Sequence, residues 1–126
     1  MIGYVTLGSN DIEASAEFYD QLFSEIGINR LWSLETFVAW GVDSESPMFS
    51  ITTPFNKERA TVGNGVMIAI KVPNTQTVDL IHKKALDLGA VDEGAPGPRG
   101  AGYYSGYFRD LDGNKLNFYL VTKQST

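Results

Sequence analysis

One histidine, His82, and no cysteine leave this chain little of the usual covalent or metal chemistry. A two-histidine facial triad and a His-x-Glu deaminase centre lack their ligands, and a nucleophile triad could draw on a single imidazole. Disulfides, thiolate zinc sites and cysteine nucleophiles are excluded outright. His82 falls beside the apolar stripe of a predicted helix, next to Lys83 and Lys84, and is expected to be a solvated surface residue. Asp110-x-Asp112-Gly113-Asn114 has part of a calcium-loop spacing, but the glycine comes before the third ligand position and no Glu closes the loop. It reads as a hairpin turn. Gly94-Ala95-Pro96-Gly97-Pro98-Arg99-Gly100-Ala101-Gly102 has no Gly-Lys-Ser/Thr after it and opens no helix, so it is no phosphate cradle. It reads as a loop on the rim of a pocket, from which Arg99, or Tyr103 and Tyr104 just after it, could touch an anionic or aromatic ligand.

The elements that must position such residues follow from periodicity. Residues 4–7 form a short β-rich run, followed by Asn10 as helix N-cap with Glu13 three residues on. Ile12, Ser15, Ala16, Tyr19, Leu22, Phe23 and Ile26 then make one helical stripe, which Gly27 stops. Strands are expected at 29–34, 36–41 and 48–52, with a turn over 43–47. The second half repeats the plan. A strand at 66–72 leads to a helix opened by Asn74 or Thr75, with the stripe Val78, Ile81, Ala85, Leu88 and a stop at Gly89. A weak strand near Val91 and strands at 103–109 and 115–121 complete it. Each half reads β-α-β-β-β, module one over about 1–60 and module two over about 61–122, in one domain spanning 1–126. A unit of about 60 residues, repeated, argues for two copies packed into one structure.

Strand alternation separates two faces. Val5, Leu7, Phe49 and Ile51 oppose Tyr4, Thr6, Met48 and Ser50 in the first half. Ile68, Ile70, Leu116 and Phe118 oppose Met67, Ala69, Asn117 and Tyr119 in the second. One face is apolar and suits a helix; the mixed face must meet something else. Trp32, Phe37 and Trp40 belong by default to a core, with one of them available to line a cavity.

Composition sets the outer bounds. The chain has 126 residues, 43% hydrophobic, enough to bury roughly two-thirds of its unfolded surface. Ten Lys+Arg against fifteen Asp+Glu give a net charge of −5, with no basic cluster, so no nucleic-acid partner is expected. The opening Met1-Ile2-Gly3-Tyr4 has neither a basic nor an apolar leader segment, and no apolar run nears the ~20 residues of a membrane span. A soluble, cytoplasmic protein without a membrane partner is expected.

Two motifs carry a family resemblance. The segment Val5-Thr6-Leu7-Gly8-Ser9-Asn10-Asp11-Ile12-Glu13-Ala14-Ser15-Ala16-Glu17-Phe18-Tyr19 and the closing run Tyr104-Ser105-Gly106-Tyr107-Phe108-Arg109-Asp110-Leu111-Asp112-Gly113-Asn114-Lys115-Leu116-Asn117 resemble the opening and closing signatures of the vicinal oxygen chelate, or glyoxalase/bleomycin resistance protein/dioxygenase, superfamily. The resemblance implies an α+β fold in which two βαβββ modules form an eight-stranded half-open barrel with the helices outside. It also implies a homodimer and, in metal-dependent members, a divalent ion held by His or Glu at four strand positions. Matching the motifs puts Tyr4, Ser50, Met67 and Asn117 at those positions, and none is a normal ligand for such an ion. The expectation is therefore no metal and no cofactor, with a cavity that takes a small molecule through Tyr4, Ser50, Met67 and Asn117, helped by Arg99, Tyr104 and Trp40. No catalytic residue is assigned. Two alternatives stay open: a metal-dependent lyase, isomerase or dioxygenase that recruits Asp11, Glu13, Glu35 or Asp92, and a bleomycin-type drug-sequestering protein.

Overall fold

The computed structural model describes residues 1–122. The chain divides into two compact units, Met1–Gly63 and Asn64–Thr126. The first unit runs β1 (Tyr4–Gly8), α1 (Ile12–Ser24), β2 (Asn29–Ser33), β3 (Phe37–Gly41) and β4 (Met48–Thr52). Its sheet has the order β1-β4-β3-β2, with β1 parallel to β4 and the other pairs antiparallel. The second unit runs β5 (Ile68–Lys71), α2 (Thr75–Asp87), β6 (Val91–Arg99), a 3-10 turn (Gly100–Gly102), β7 (Tyr103–Arg109) and β8 (Lys115–Val121). Its order, β5-β8-β7-β6, repeats the first, again with one parallel pair, β5 and β8. Both helices have thirteen residues, and Thr75 and Asp87 lie 63 positions after Ile12 and Ser24. The two βαβββ modules expected from the sequence are there.

The helix caps show why the repeat keeps this spacing. Asp11, not Asn10, is the N-cap of α1: its Oδ1 accepts the Ala14 N–H at 3.1 Å. Asn10 is occupied elsewhere, accepting the Ala60 N–H at 2.8 Å and donating to the Ala60 carbonyl at 3.1 Å, which ties the end of the unit to the connection between β1 and α1. Asn74 caps α2 through Thr77 N–H at 2.8 Å, so Asp11 and Asn74 are the equivalent residues. Gly27 and Gly89 follow the helices with φ of 70° and 109°, the left-handed conformation that a stop requires.

In the first unit the buried face of α1 joins Tyr19 and Phe23 to Trp40 and Phe49, with ring centroids 4.7 to 5.7 Å apart across the helix–sheet boundary. Leu22, Val38 and Ile51 are buried as well. Fully burying side chains of this size contributes about 1.5–3 kcal/mol each. The second unit has a thinner core. Val78, Ile81 and Ala85 of α2 are buried, as are Leu116, Phe108 and Phe118 of the strands, the last two with stacked rings 5.9 Å apart.

Two expectations are corrected here. The Gly/Pro-rich run is not a loop. Through Arg99 it forms most of β6, paired with β7 through register shifts on either side of Gly94. Pro and Gly are tolerated because β6 is an edge strand and the shifts absorb residues that cannot keep a regular ladder. His82 is not on the surface: it is 6% exposed, and its Nε2 lies 3.1 Å from both Asp92 Oδ1 and the Tyr107 carbonyl. The helical stripe is wider than the aliphatic residues alone suggest, and His82 is the member that hydrogen-bonds α2 to β6 and β7. The Asp110–Asn114 segment is the hairpin turn expected, with Asp110 Oδ1 accepting the N–H groups of Asp112 and Asn114.

Candidate functional site

Each sheet buries one face under its helix and presents the other as a candidate binding surface. In the first unit, pairing of Tyr4 with Met48, Thr6 with Ser50, Ala39 with Ser50 and Trp32 with Ala39 puts these side chains on the non-helical face. Tyr4, Trp32, Leu34, Phe37, Ala39 and Met48 line a cavity of about 310 Å³ there. Its walls are apolar because the small Ala39 sits at the centre of the sheet with large side chains around it. Tyr4, 59% exposed, and Trp32, 53% exposed, are open to incoming molecules. Ser50 is fully buried beside this cavity. Its hydroxyl donates to the Val5 carbonyl at 2.7 Å, which leaves its oxygen to accept from Thr6 Oγ1 at 2.8 Å.

The same face of the second sheet is polar. Met67, directly before β5, is 40% exposed. Asn117 of β8 pairs with Ala69 on one side and Tyr107 on the other. Its Oδ1 is buried without a hydrogen-bond partner, as is Ser105 Oγ on the neighbouring strand; among the described residues only Ser15 Oγ on α1 shares that condition. An acceptor left in this state costs about 1–3 kcal/mol. Above these groups the Tyr107 ring lies 5.4 Å from the Arg99 guanidinium and 5.5 Å from Lys115 Nζ.

The sequence-expected site residues therefore divide. Tyr4 and Ser50 share one sheet face, and Asn117 and Arg99 share the corresponding face of the other sheet. Two others of the expected residues lie on the helix side of their sheets. Trp40 is 1% exposed on the helix side, where its Nε1 donates to Asp20 Oδ1 at 2.9 Å. Period-two alternation assigns it there, since its neighbour Ala39 is the residue in the cavity. Tyr104 is likewise on the helix side of β7, its hydroxyl 2.7 Å from Asp79 Oδ1 of α2. That hydrogen bond to a carboxylate, with burial and the Asp79 charge adding to it, raises the phenol above its ordinary value. Of the three aromatic residues of which one was expected to line a cavity, Trp32 and Phe37 both do; the residues that sequence reasoning missed are Leu34, Ala39 and Met48 as further walls and Ser105, Tyr107 and Lys115 on the second sheet. Alternation counted back from Asn117 through the hairpin would have found the last three.

The carboxylates that an alternative metal site would recruit do not converge. Asp11 caps α1, and Asp92 receives the Gly94 N–H and contacts His82. Glu35 lines a separate crevice of about 360 Å³ with Lys57, Glu58 and Arg59. Among the described residues no three His, Cys, Asp or Glu side chains gather where they could hold a metal ion.

The sequence profile of the Glyoxalase/Bleomycin resistance protein/Dioxygenase superfamily matches residues 1–118. The chain belongs to this superfamily. A glyoxalase/bleomycin resistance protein from Albidiferax ferrireducens T118 is 31% identical, over 94% of this chain and 97% of that one, with a TM-score of 0.86. A family enzyme from Burkholderia phytofirmans PsJN, at 20% identity and a TM-score of 0.76 over 94% of this chain and 97% of its own, shares the fold. So does a lactoylglutathione lyase from Agrobacterium tumefaciens, at 21% identity and 0.68 over 94% and 92%. No curated protein matches the sequence. The glyoxalase/bleomycin resistance fold is thus that of this chain. The divalent ion of metal-dependent superfamily members does not fit the residues present. The four positions that the resemblance assigns, Tyr4, Ser50, Met67 and Asn117, offer a phenol, a hydroxyl already donated to Val5, a thioether and an amide, with no imidazole or carboxylate.

Proposed function

We propose that this superfamily member binds a small molecule without a metal ion. The observation that carries the reading is the apolar cavity on the first sheet, whose volume of about 310 Å³ falls at the lower end of small-molecule sites. Its walls are aromatic and thioether side chains, suited to a flat, partly apolar ligand that stacks on Trp32 or Phe37 and meets the Tyr4 hydroxyl at its edge. The neutral donor set at the four strand positions supports the metal-free part of the reading. No general base faces this cavity, so no reaction is assigned to it.

A homodimer in the cytoplasm is part of the proposal, the dimer by superfamily resemblance; among the described residues no helix is long and apolar enough to cross a membrane. The test is a titration of the full chain with 1-naphthol, read by Trp fluorescence and by thermal shift. At a hundred times its dissociation constant the ligand should add about 2.7 kcal/mol of stability. Trp32→Ala should remove the response. A divalent ion that copurifies at one per chain and is required for turnover of any substrate would overturn the reading.

A further inference from the structure

The non-helical face of the second sheet has the construction of a binding surface, and the first sheet's cavity leaves it unused. Arg99 has no carboxylate partner among the described residues. Its guanidinium donates to the Ala95 carbonyl at 2.7 Å and the Pro98 carbonyl at 3.2 Å, and it lies along the Tyr107 ring. The room for it comes from glycine: a Cβ on Gly97 would stand 3.2 Å from Arg99 Nη1, and one on Gly94 would stand 3.5 Å from Nη2 and 3.2 Å from the Tyr107 ring. Glycine at 94 and 97 thus leaves the guanidinium uncrowded where it lies. Lys115 Nζ lies 5.5 Å from the centroid of the same ring, and its acidic neighbour, Glu93, is engaged by Arg109 at 3.1 Å, with Lys115 at 4.0 Å. Three cations face one carboxylate here, in a chain whose net charge is −5.

Behind this layer lie the two unpartnered atoms. Asn117 is directly opposite Tyr107 in the ladder and Ser105 is diagonal to Asn117, so the three side chains are neighbours on one face, with the two polar atoms buried. Asn117 Oδ1 can only accept, which requires a donor on the ligand; Ser105 can donate or accept.

We infer that Arg99, Tyr107, Lys115, Ser105 and Asn117 form a site for a small carboxylate that also carries an amide N–H or a hydroxyl. The carboxylate meets Arg99 and Lys115, an apolar part lies on Tyr107, and the donor reaches Asn117 Oδ1. A carboxylate is favoured because Arg99 presents a planar fork and Asn117 lies one cross-strand step from the ring it stacks on. This inference shares with the proposed function only the premise that the ligand is bound without a metal.

The test is isothermal titration of the full chain at low salt with hippurate, which has both groups, with benzoate, which has the charge alone, and with hippuramide, which has the N–H alone. Hippurate should bind about tenfold or more tighter than either. Arg99→Gln, on a half-buried side chain, should lower hippurate affinity by about tenfold, and the isosteric Asn117→Asp should lower it at least as much by placing a charge against the anion. Amide shifts in a 15N spectrum should centre on β7 and β8. Equal affinity for the three probes, hippurate binding unchanged in Arg99→Gln, or inorganic phosphate binding as tightly as hippurate would each overturn the inference. Binding of 1-naphthol without hippurate overturns this site and leaves the proposed function standing; binding of hippurate without naphthol does the reverse.

Discussion

Ser50 and Asn117 occupy the same position in two copies of one sheet, yet one is satisfied and the other is not. Each sits on the last strand of its unit, opposite a residue of the first strand: Thr6 for Ser50, Ala69 for Asn117. Thr6 supplies a hydroxyl to Ser50, whereas Ala69 has nothing to supply. The next strand shows the reverse. Ala39 stands beside Ser50 and leaves a cavity, and Tyr107 stands beside Asn117 and fills the space. On the outer strand the sizes invert again, with Trp32 paired to Ala39 and Gly94 paired to Tyr107. The same backbone thus presents an apolar hollow in one half and a cationic, aromatic surface over unpaired polar atoms in the other. A repeated scaffold fixes where side chains point, and the identity of three neighbours decides what the face recognises.

Substitutions can break this contrast, the largest effects coming from the cores. Trp40→Ala should cost about 3–5 kcal/mol, because it empties the aromatic centre of the first unit and removes the bond to Asp20. His82→Leu keeps much of the volume in the second unit but leaves the Tyr107 carbonyl without its donor; a loss of about 1–3 kcal/mol is expected. Chemical denaturation measures both. Ser50→Ala should cost about 1–2 kcal/mol, since the Val5 carbonyl and Thr6 hydroxyl lose a partner. Ala69→Thr should do the opposite, stabilising by about 0.5–1 kcal/mol as it gives Asn117 the neighbour that Ser50 already has. The same variant should weaken hippurate binding.

The smallest effect is on pH dependence. Burial raises the Asp20 carboxyl, but hydrogen bonds from Arg30 and Trp40 and the Arg30 charge outweigh it, so its pKa falls below the ordinary carboxylate value. A carboxyl depressed in the folded state stabilises above its unfolded pKa of about 4 and loses that contribution as the pH falls through its folded value. Asp20→Asn should flatten the acid limb of the melting profile below about pH 4, with little change at neutral pH.

Much of this arrangement is legible in the sequence. Stripe and alternation give both helices and most strands, because burial on one face imposes a period that side chains must obey. What escapes is set by competition between neighbours. Asn10 and Asp11 are both good caps, and only the long-range bond from Asn10 to Ala60 decides between them. His82 looks exposed beside two lysines until Asp92 and the Tyr107 carbonyl, distant in sequence, arrive to satisfy it. β6 reads as a loop because edge-strand glycines and prolines have the composition of one. For the site, the resemblance singles out Tyr4, Ser50 and Asn117 and alternation gives the face they share, while the same alternation, carried into β3 and β7, places Trp40 and Tyr104 on the helix side.

The outer hairpins carry one further consequence. From Trp32 to Ala39 the chain advances 7 positions (39 − 32), and from Gly94 to Tyr107 it advances 13 (107 − 94), although both pairs mark the same rung. The helices keep identical length and spacing, so the added chain is confined to the β6–β7 hairpin at the sheet edge. The longer hairpin leaves the helix of its half at the same length, and the tip of either hairpin is the natural place to graft a new specificity onto an old frame.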